Sequence, residues 1–231
     1  MPITVIGTTP DPVPDRTTIP AAQPKKVPRA KDEEENTWPS GDASAVTGDK
    51  GFDGLPGEVG GDNFDGGSTP KNLTFAVGGF VGVLDITVRG GNGGDGGKGG
   101  TGGDGGEGQD GGQKGDEGSD APGGVGGNGG PGGPGGHGGS GGDANSFDLY
   151  IPNAAEAISI NTNVVFGGGF RGRGGEGGAG GNGGLGGLQG ARTDNPIRST
   201  SGQPGNIGAT GTNGAHDGAT GHLNIYIGIH P

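Results

Sequence analysis

From residue 91 to residue 142 glycine occupies every third position except Gln109 and Ala121, which is 16 of 18 places in one unbroken register. All eight positions of that spacing from 169 to 190 are glycine. The spacing returns from 202 to 214 and slips by one at His216-Asp217. A flexible linker has no reason to keep register. A period of three matches an extended left-handed helix with ~3.1 Å rise per residue and no internal hydrogen bonds. Its backbone groups point outward, and glycine faces without Cβ atoms let neighbouring segments approach and pair. A GG-X triplet then leaves two bare faces for neighbours and one for a side chain. Ordering the backbone costs ~1–2 kcal/mol per residue, so lateral pairing has to be nearly complete. The register marks Gly91, Gly94, Gly97, Gly100, Gly127, Gly130, Gly133, Gly178, Gly181 and Gly184 as structural.

Against this pattern, a hydrophobic content of 25% and a net charge of −12 read differently than they would alone. Without the register they are the usual signature of disorder. The absence of cysteine excludes disulfides and thiolate metal sites. The acid excess argues against a nucleic-acid partner, because phosphates would be repelled. No apolar stretch approaches the ~18 residues of a membrane span. The start, MPITVIGTTP, shows neither the basic nor the apolar region of a classical signal peptide.

Residues 1–47 read as an extended arm for attachment or assembly. It is rich in proline and carries a basic block (Lys25, Lys26, Arg29, Lys31) followed by an acidic one (Asp32 to Glu35). Residues 48–231 read as the glycine-rich body. Strands are expected at Ile3–Ile6, Leu73–Arg89, Phe147–Phe166 and Leu223–Ile229. Apolar residues alternate at Leu84, Ile86 and Val88 and at Leu223, Ile225 and Ile227. A bulge is expected at Gly78-Gly79 and a bend at Pro152. The β base then comprises 71–89, 146–166 and 223–229. Glycine helices are expected at 48–60, 90–108, 123–142, 170–190 and 202–221. The matched run lengths suggest two long hairpins that start and finish at the β base, each ~60 Å tall at that rise. Their irregular loops, 109–122 and 191–201, meet at the far end.

The runs GGNGGDGGKGGTGGDGG and GGVGGNGGPGGPGGHGG resemble those of polyglycine-II bundle proteins. The junction LDITVRGGNGGDGG and the closing LNIYIGIHP look most like the glycine-rich tip adhesins of T-even-like phage tail fibres. The snow-flea antifreeze protein shares the glycine pattern but is held by disulfides, which this chain lacks. The likeness covers roughly residues 71–231. It implies a mostly irregular and β fold: a bundle of polyglycine-II helices on a small β base, with an extended arm and almost no α-helix. It also implies a non-enzymatic rod on a virion or extracellular surface, with receptor-recognition loops at its tip.

Several constellations point elsewhere and are weaker. G-x-G-x-x-G recurs by composition with no βαβ unit around it. GGNGGD at 90–95 resembles a calcium nonapeptide, but the period is three. Asp95, Asp104 and Glu107 are expected as a solvated acidic face, with Ca²⁺ at most an adventitious ligand. One RGG-like stretch at 170–175 is expected to pair with neighbouring acids. The four histidines share no metal spacing, and no nucleophile elbow is visible, so no catalytic residue, cofactor or metal is expected.

The expected receptor site comprises Asp110, Gln113, Lys114, Asp116, Glu117 and Asp120 in the first loop. The second loop supplies Arg192, Thr193, Asp194, Asn195, Arg198 and Thr200. These groups suit a polar ligand, such as a surface glycan or an exposed loop of a membrane protein. An alternative is an oligomeric building block of a filament, virion or surface layer, in which the arm binds a partner or neighbouring subunit and the first strand completes a neighbour's sheet. Ice binding is a third reading, carried by the less charged row Val125, Asn128, Pro131 and Pro134.

Overall fold

Period-two alternation of apolar residues produces the strands of this chain, because one face of each can then be buried. The computed structural model describes residues 1–13, 46–78, 82–114, 119–153, 160–191, 194 and 196–228. Six strands occur among them: β1 (Pro2–Ile6), β2 (Leu73–Ala76), β3 (Gly82–Arg89), β4 (Phe147–Ile151), β5 (Ile160–Gly167) and β6 (Leu223–Ile227). They form two three-stranded sheets, ordered β1-β3-β5 and β2-β4-β6, and every pair is parallel. The first sheet collects the strands that lead into a glycine-rich excursion. The second collects the strands that follow one.

The core lies between the two central strands. Leu84, Ile86 and Val88 of β3 and Phe147, Leu149 and Ile151 of β4 are buried together with Val77 and Ala144. Ile3, Leu73, Phe75, Phe166 and Leu223 pack around them. Each fully buried side chain of this size stabilises the fold by about 1.5–3 kcal/mol.

Two of the expected strands are corrected. Leu73–Arg89 is not one bulged strand but β2 and β3, which lie in different sheets. Phe147–Phe166 is likewise β4 and β5. The chain must cross between sheets before each new excursion, and a hydrophobic period carries no mark of that crossing. Asn72, just before β2, and Gly82, the first residue of β3, take positive φ values of 60° and 137°. Gly79, Ile229 and most of the arm lie outside the described residues.

The expected fold class is corrected too. A polyglycine-II bundle on a small β base does not describe the regular structure. That structure is mostly β, two parallel sheets, with no helix among the described residues beyond one 3-10 turn, Gln189–Ala191. The apolar residues are concentrated in the strands, so the core and the strand ladders sit there.

The glycine-rich segments join the sheets through lateral backbone bonds that recur every third residue. Segment 46–67 pairs parallel with 121–143, as in Gly51 N to Val125 O at 2.9 Å and Gly54 N to Asn128 O at 2.7 Å. Segment 90–112 pairs parallel with 168–188, as in Gly96 N to Arg173 O at 2.8 Å. Segment 121–143 also pairs parallel with 199–221, as in Gly132 N to Asn206 O at 2.8 Å. The two sets are joined by antiparallel bonds such as Gly127 N to Gly106 O and Gly178 N to Gly133 O, both 2.8 Å.

Glycine content follows the number of neighbours. Segments 90–112, 121–143 and 168–188 each bond to three or four others and carry mostly GG-X. Segments 46–67 and 199–221 each bond to two of these and carry mostly one glycine per triplet. A Cβ on Gly127 would lie 1.9 Å from Phe52 O, and one on Gly208 would lie 2.0 Å from Gly133 O. The side chains beside Gly208, Ile207 and Ala209, are exposed.

Candidate functional site

The third residue of each triplet has an amide that the glycine ladders leave over. Short side chains on the adjacent parallel segment accept from it. Gly96 N donates to Arg173 O at 2.8 Å, and Asp95 Oδ1 accepts from Arg173 N at 2.7 Å. The same step recurs at Asp104 with Asn182 N (2.6 Å), Asp53 with Asn128 N (2.7 Å) and Asn128 with Gln203 N (2.9 Å). Asp and Asn reach a nearby amide because their acceptor sits close to the backbone. Asp95 and Asp104, expected as a solvated face, therefore hold neighbouring segments together. Asp53 has its pKa lowered from the usual carboxylate value, first by the hydrogen bond from Lys50 and then by the amide of Asn128.

The turns at the end away from the sheets are joined to each other. Gly190, with φ 55°, donates its amide to Ala121 O at 3.0 Å, and Gln189 Nε2 donates to Asp120 O at 3.2 Å. Ser199 Oγ donates to Gly123 O. An antiparallel bridge between Leu188 and Arg198 closes the second turn.

Some expected receptor contacts have structural partners here. Asp110 Oδ1 accepts from Leu188 N at 2.6 Å, Asp120 Oδ1 from Lys114 N at 3.0 Å, and Arg198 Nη1 donates to Gly186 O at 2.9 Å. Gln113, Lys114, Asp194 and Thr200 are exposed on the same end. Asp116, Glu117, Arg192, Thr193 and Asn195 lie outside the described residues. The glycines Gly91, Gly127, Gly130, Gly133, Gly178, Gly181 and Gly184 each leave 2.1 Å or less between an ideal Cβ and a neighbouring carbonyl oxygen. At Gly94 the obstacle is the Asn63 side chain at 2.3 Å, and Gly97 has 3.2 Å of room. Gly100 donates to Glu58 O at 2.8 Å.

Arg171 of the RGG-like stretch lies 4.0 Å from Asp217. Among the described residues no three His, Cys, Asp or Glu side chains group closely enough to hold a metal ion. No helix among them is long and apolar enough to cross a membrane.

No family model matches the chain, and no curated protein matches it. A solved structure, the nine polyproline type II helical bundle springtail antifreeze protein from Granisotoma rainieri, is similar at 23% identity over 66% of this chain and 93% of that one. Its TM-score is 0.10, too low to carry any argument about fold or function.

Proposed function

We propose that the chain is a non-enzymatic recognition rod whose distal turns, 109–122 and 191–201, form one composite receptor-binding end. The observation that supports this reading is the Gly190–Ala121 bond. It is the last rung of the antiparallel ladder that runs from Gly169–Gly142 to Gly187–Gly124, and together with the Gln189 Nε2 bond to Asp120 O it carries that ladder into both turns and holds them side by side. The exposed Gln113, Lys114, Asp194 and Thr200 give that surface amide, charged and hydroxyl groups. Such groups suit a polar ligand on a cell surface. The resemblance to phage tail-fibre tips makes bacterial surface glycans or outer-membrane loops the first candidates.

The test keeps the bonded residues Asp110, Leu188 and Arg198 and replaces only 113–119 and 191–197 with short Gly-Asn-Gly turns. The doubly replaced protein is expected to keep its melting transition and to lose retention on a panel of bacterial surfaces. Undiminished retention would remove the tip as the binding site. Filaments of that protein under the electron microscope would then favour an assembly subunit.

A further inference from the structure

Parallel register in the second sheet stacks residues that are far apart in sequence. Thr74, Asp148 and Asn224 fall in one row across β2, β4 and β6, and Ala76, Tyr150 and Tyr226 fall in the next. These positions alternate with Leu73, Phe75, Phe147, Leu149 and Leu223, which face the core. They therefore make up the outer face of the sheet. Continuing the rows toward the glycine segments brings in Asn72, Ser146 and His222. Two residues along a strand advance about 6.6 Å and strands lie about 4.8 Å apart, so the three rows cover about 13 by 10 Å.

The chemistry of this face is specific. Tyr150 and Tyr226 stack with centroids 4.7 Å apart and planes 15° from parallel. That separation is close to the strand spacing, so the rings stand side by side like plates. On the other side of Tyr150, strand β2 offers only the exposed Ala76. Among the described residues the small side chain at that position leaves a step beside the Tyr150 ring, a notch with one aromatic wall.

One row away, Asp148 Oδ1 accepts from Asn224 Nδ2 at 2.8 Å. A carboxylate accepts several further bonds, and the amide oxygen of Asn224 accepts as well. Ser146 Oγ lies 3.1 Å from His222 Nδ1. A cleft of ≈290 Å³ is lined by Lys71, Asn72, Ser146, Asp148, His222 and Asn224. It contains no apolar side chain from this set and has a single ammonium, that of Lys71.

We propose that this face is a binding site for a neutral hexose-containing oligosaccharide. A pyranose ring has an apolar C–H face and a rim of hydroxyls. The notch beside Tyr150 supplies an aromatic plate for the first, and Asp148, Asn224, Ser146 and His222 supply paired acceptors and donors for the second. The length of the rows spans more than one sugar unit. The site lies on the outer face of the sheet, at the opposite end from the distal turns, and stands whether or not those turns bind a receptor.

The experiment titrates the full-length protein with cellohexaose, maltohexaose and a mannan-derived hexasaccharide, following amide shifts by ¹H–¹⁵N NMR. Shifts should concentrate at residues 72–76, 146–150 and 222–226 for at least one probe. Tyr150→Ala and Asp148→Ala should each weaken binding about tenfold. Ala76→Arg, on an exposed position of an edge strand, should block the notch while leaving the melting temperature unchanged, which keeps the test sound if Tyr150→Ala fails to fold. The protein with both distal turns replaced should bind as the wild type does. Three results each overturn the site: no shifts with any probe, undiminished binding by Ala76→Arg, or loss of binding on turn replacement.

Discussion

An α-hydrogen in place of a side chain lets Gly127 lie against Phe52. A Cβ there would be 1.9 Å from Phe52 O. The same residue donates to Gly106 O and accepts from Gly184 N, each at 2.8 Å. Gly127→Val must therefore push apart segments on several sides, and each buried group left unpaired costs about 1–3 kcal/mol. Loss of the cooperative thermal transition by circular dichroism is expected. Asn128 is exposed and loses only its Oδ1 bond from Gln203 N on change to alanine. That is worth about 0.5–1.5 kcal/mol. At about 2–4 °C per kcal/mol, Asn128→Ala should melt a few degrees low. Equal melting temperatures for the two variants would show that the contact and solvent faces are wrongly assigned. Register alone marks residue 127 as a contact position. It says nothing of Asn128 Oδ1, whose partner amide lies 75 residues further on. The acidic rows were opaque for the same reason: Asp95 reads as one more exposed charge until the amide of Arg173, 78 residues away, is placed beside it.

At the scale of the strands, stability is concentrated in few side chains. Leu84 and Leu149 are fully buried, one from each sheet, whereas Val83 on β3 is 45% exposed. Leu149→Ala should cost about 2–5 kcal/mol, because the rigid surroundings of a parallel ladder leave a cavity. Val83→Ala should stay within about 0.5 kcal/mol. Urea denaturation of the two variants checks this, and comparable losses would mean that the core does not lie between β3 and β4. The alternation at Leu84, Ile86 and Val88 made β3 legible, and that at Leu223, Ile225 and Ile227 made β6 legible. The division of the long segments into β2 with β3 and β4 with β5 was not legible. Their apolar residues continue across the crossover, and only the pairing partner tells which sheet each half joins. The sugar-sized polar face was hidden similarly. Thr74, Asp148 and Asn224 are unremarkable singly and form a row only in the register Thr74↔Asp148↔Asn224.

The whole molecule is held by contacts between distant parts of the chain. Side-chain links such as Asp53–Asn128 and Asp104–Asn182 join residues 75 and 78 positions apart, and the strand pairs β3–β5 and β4–β6 span similar distances. Both sheets are parallel, so among the described residues no tight hairpin between strands supplies an early local nucleus. Loop-closure entropy has to be met before these contacts stabilise anything, and glycine-rich backbone loses more freedom than most on ordering. Proteins dominated by non-local pairing fold in about milliseconds to seconds, and this chain should fall at or beyond the slow end. The 17 prolines add a separate source of delay, because isomerisation takes about 10–100 s. Double-jump stopped-flow circular dichroism separates the two. A brief unfolding pulse keeps the prolines in their native isomers, and refolding from it should still take a second or longer. A sub-millisecond phase carrying the full amplitude after the short pulse would show that folding starts from local structure, and the account of lateral pairing as the source of order would fail. Leu149→Ala sharpens the measurement. If the two sheets meet late, the substitution mainly speeds unfolding and leaves the slow refolding phase in place.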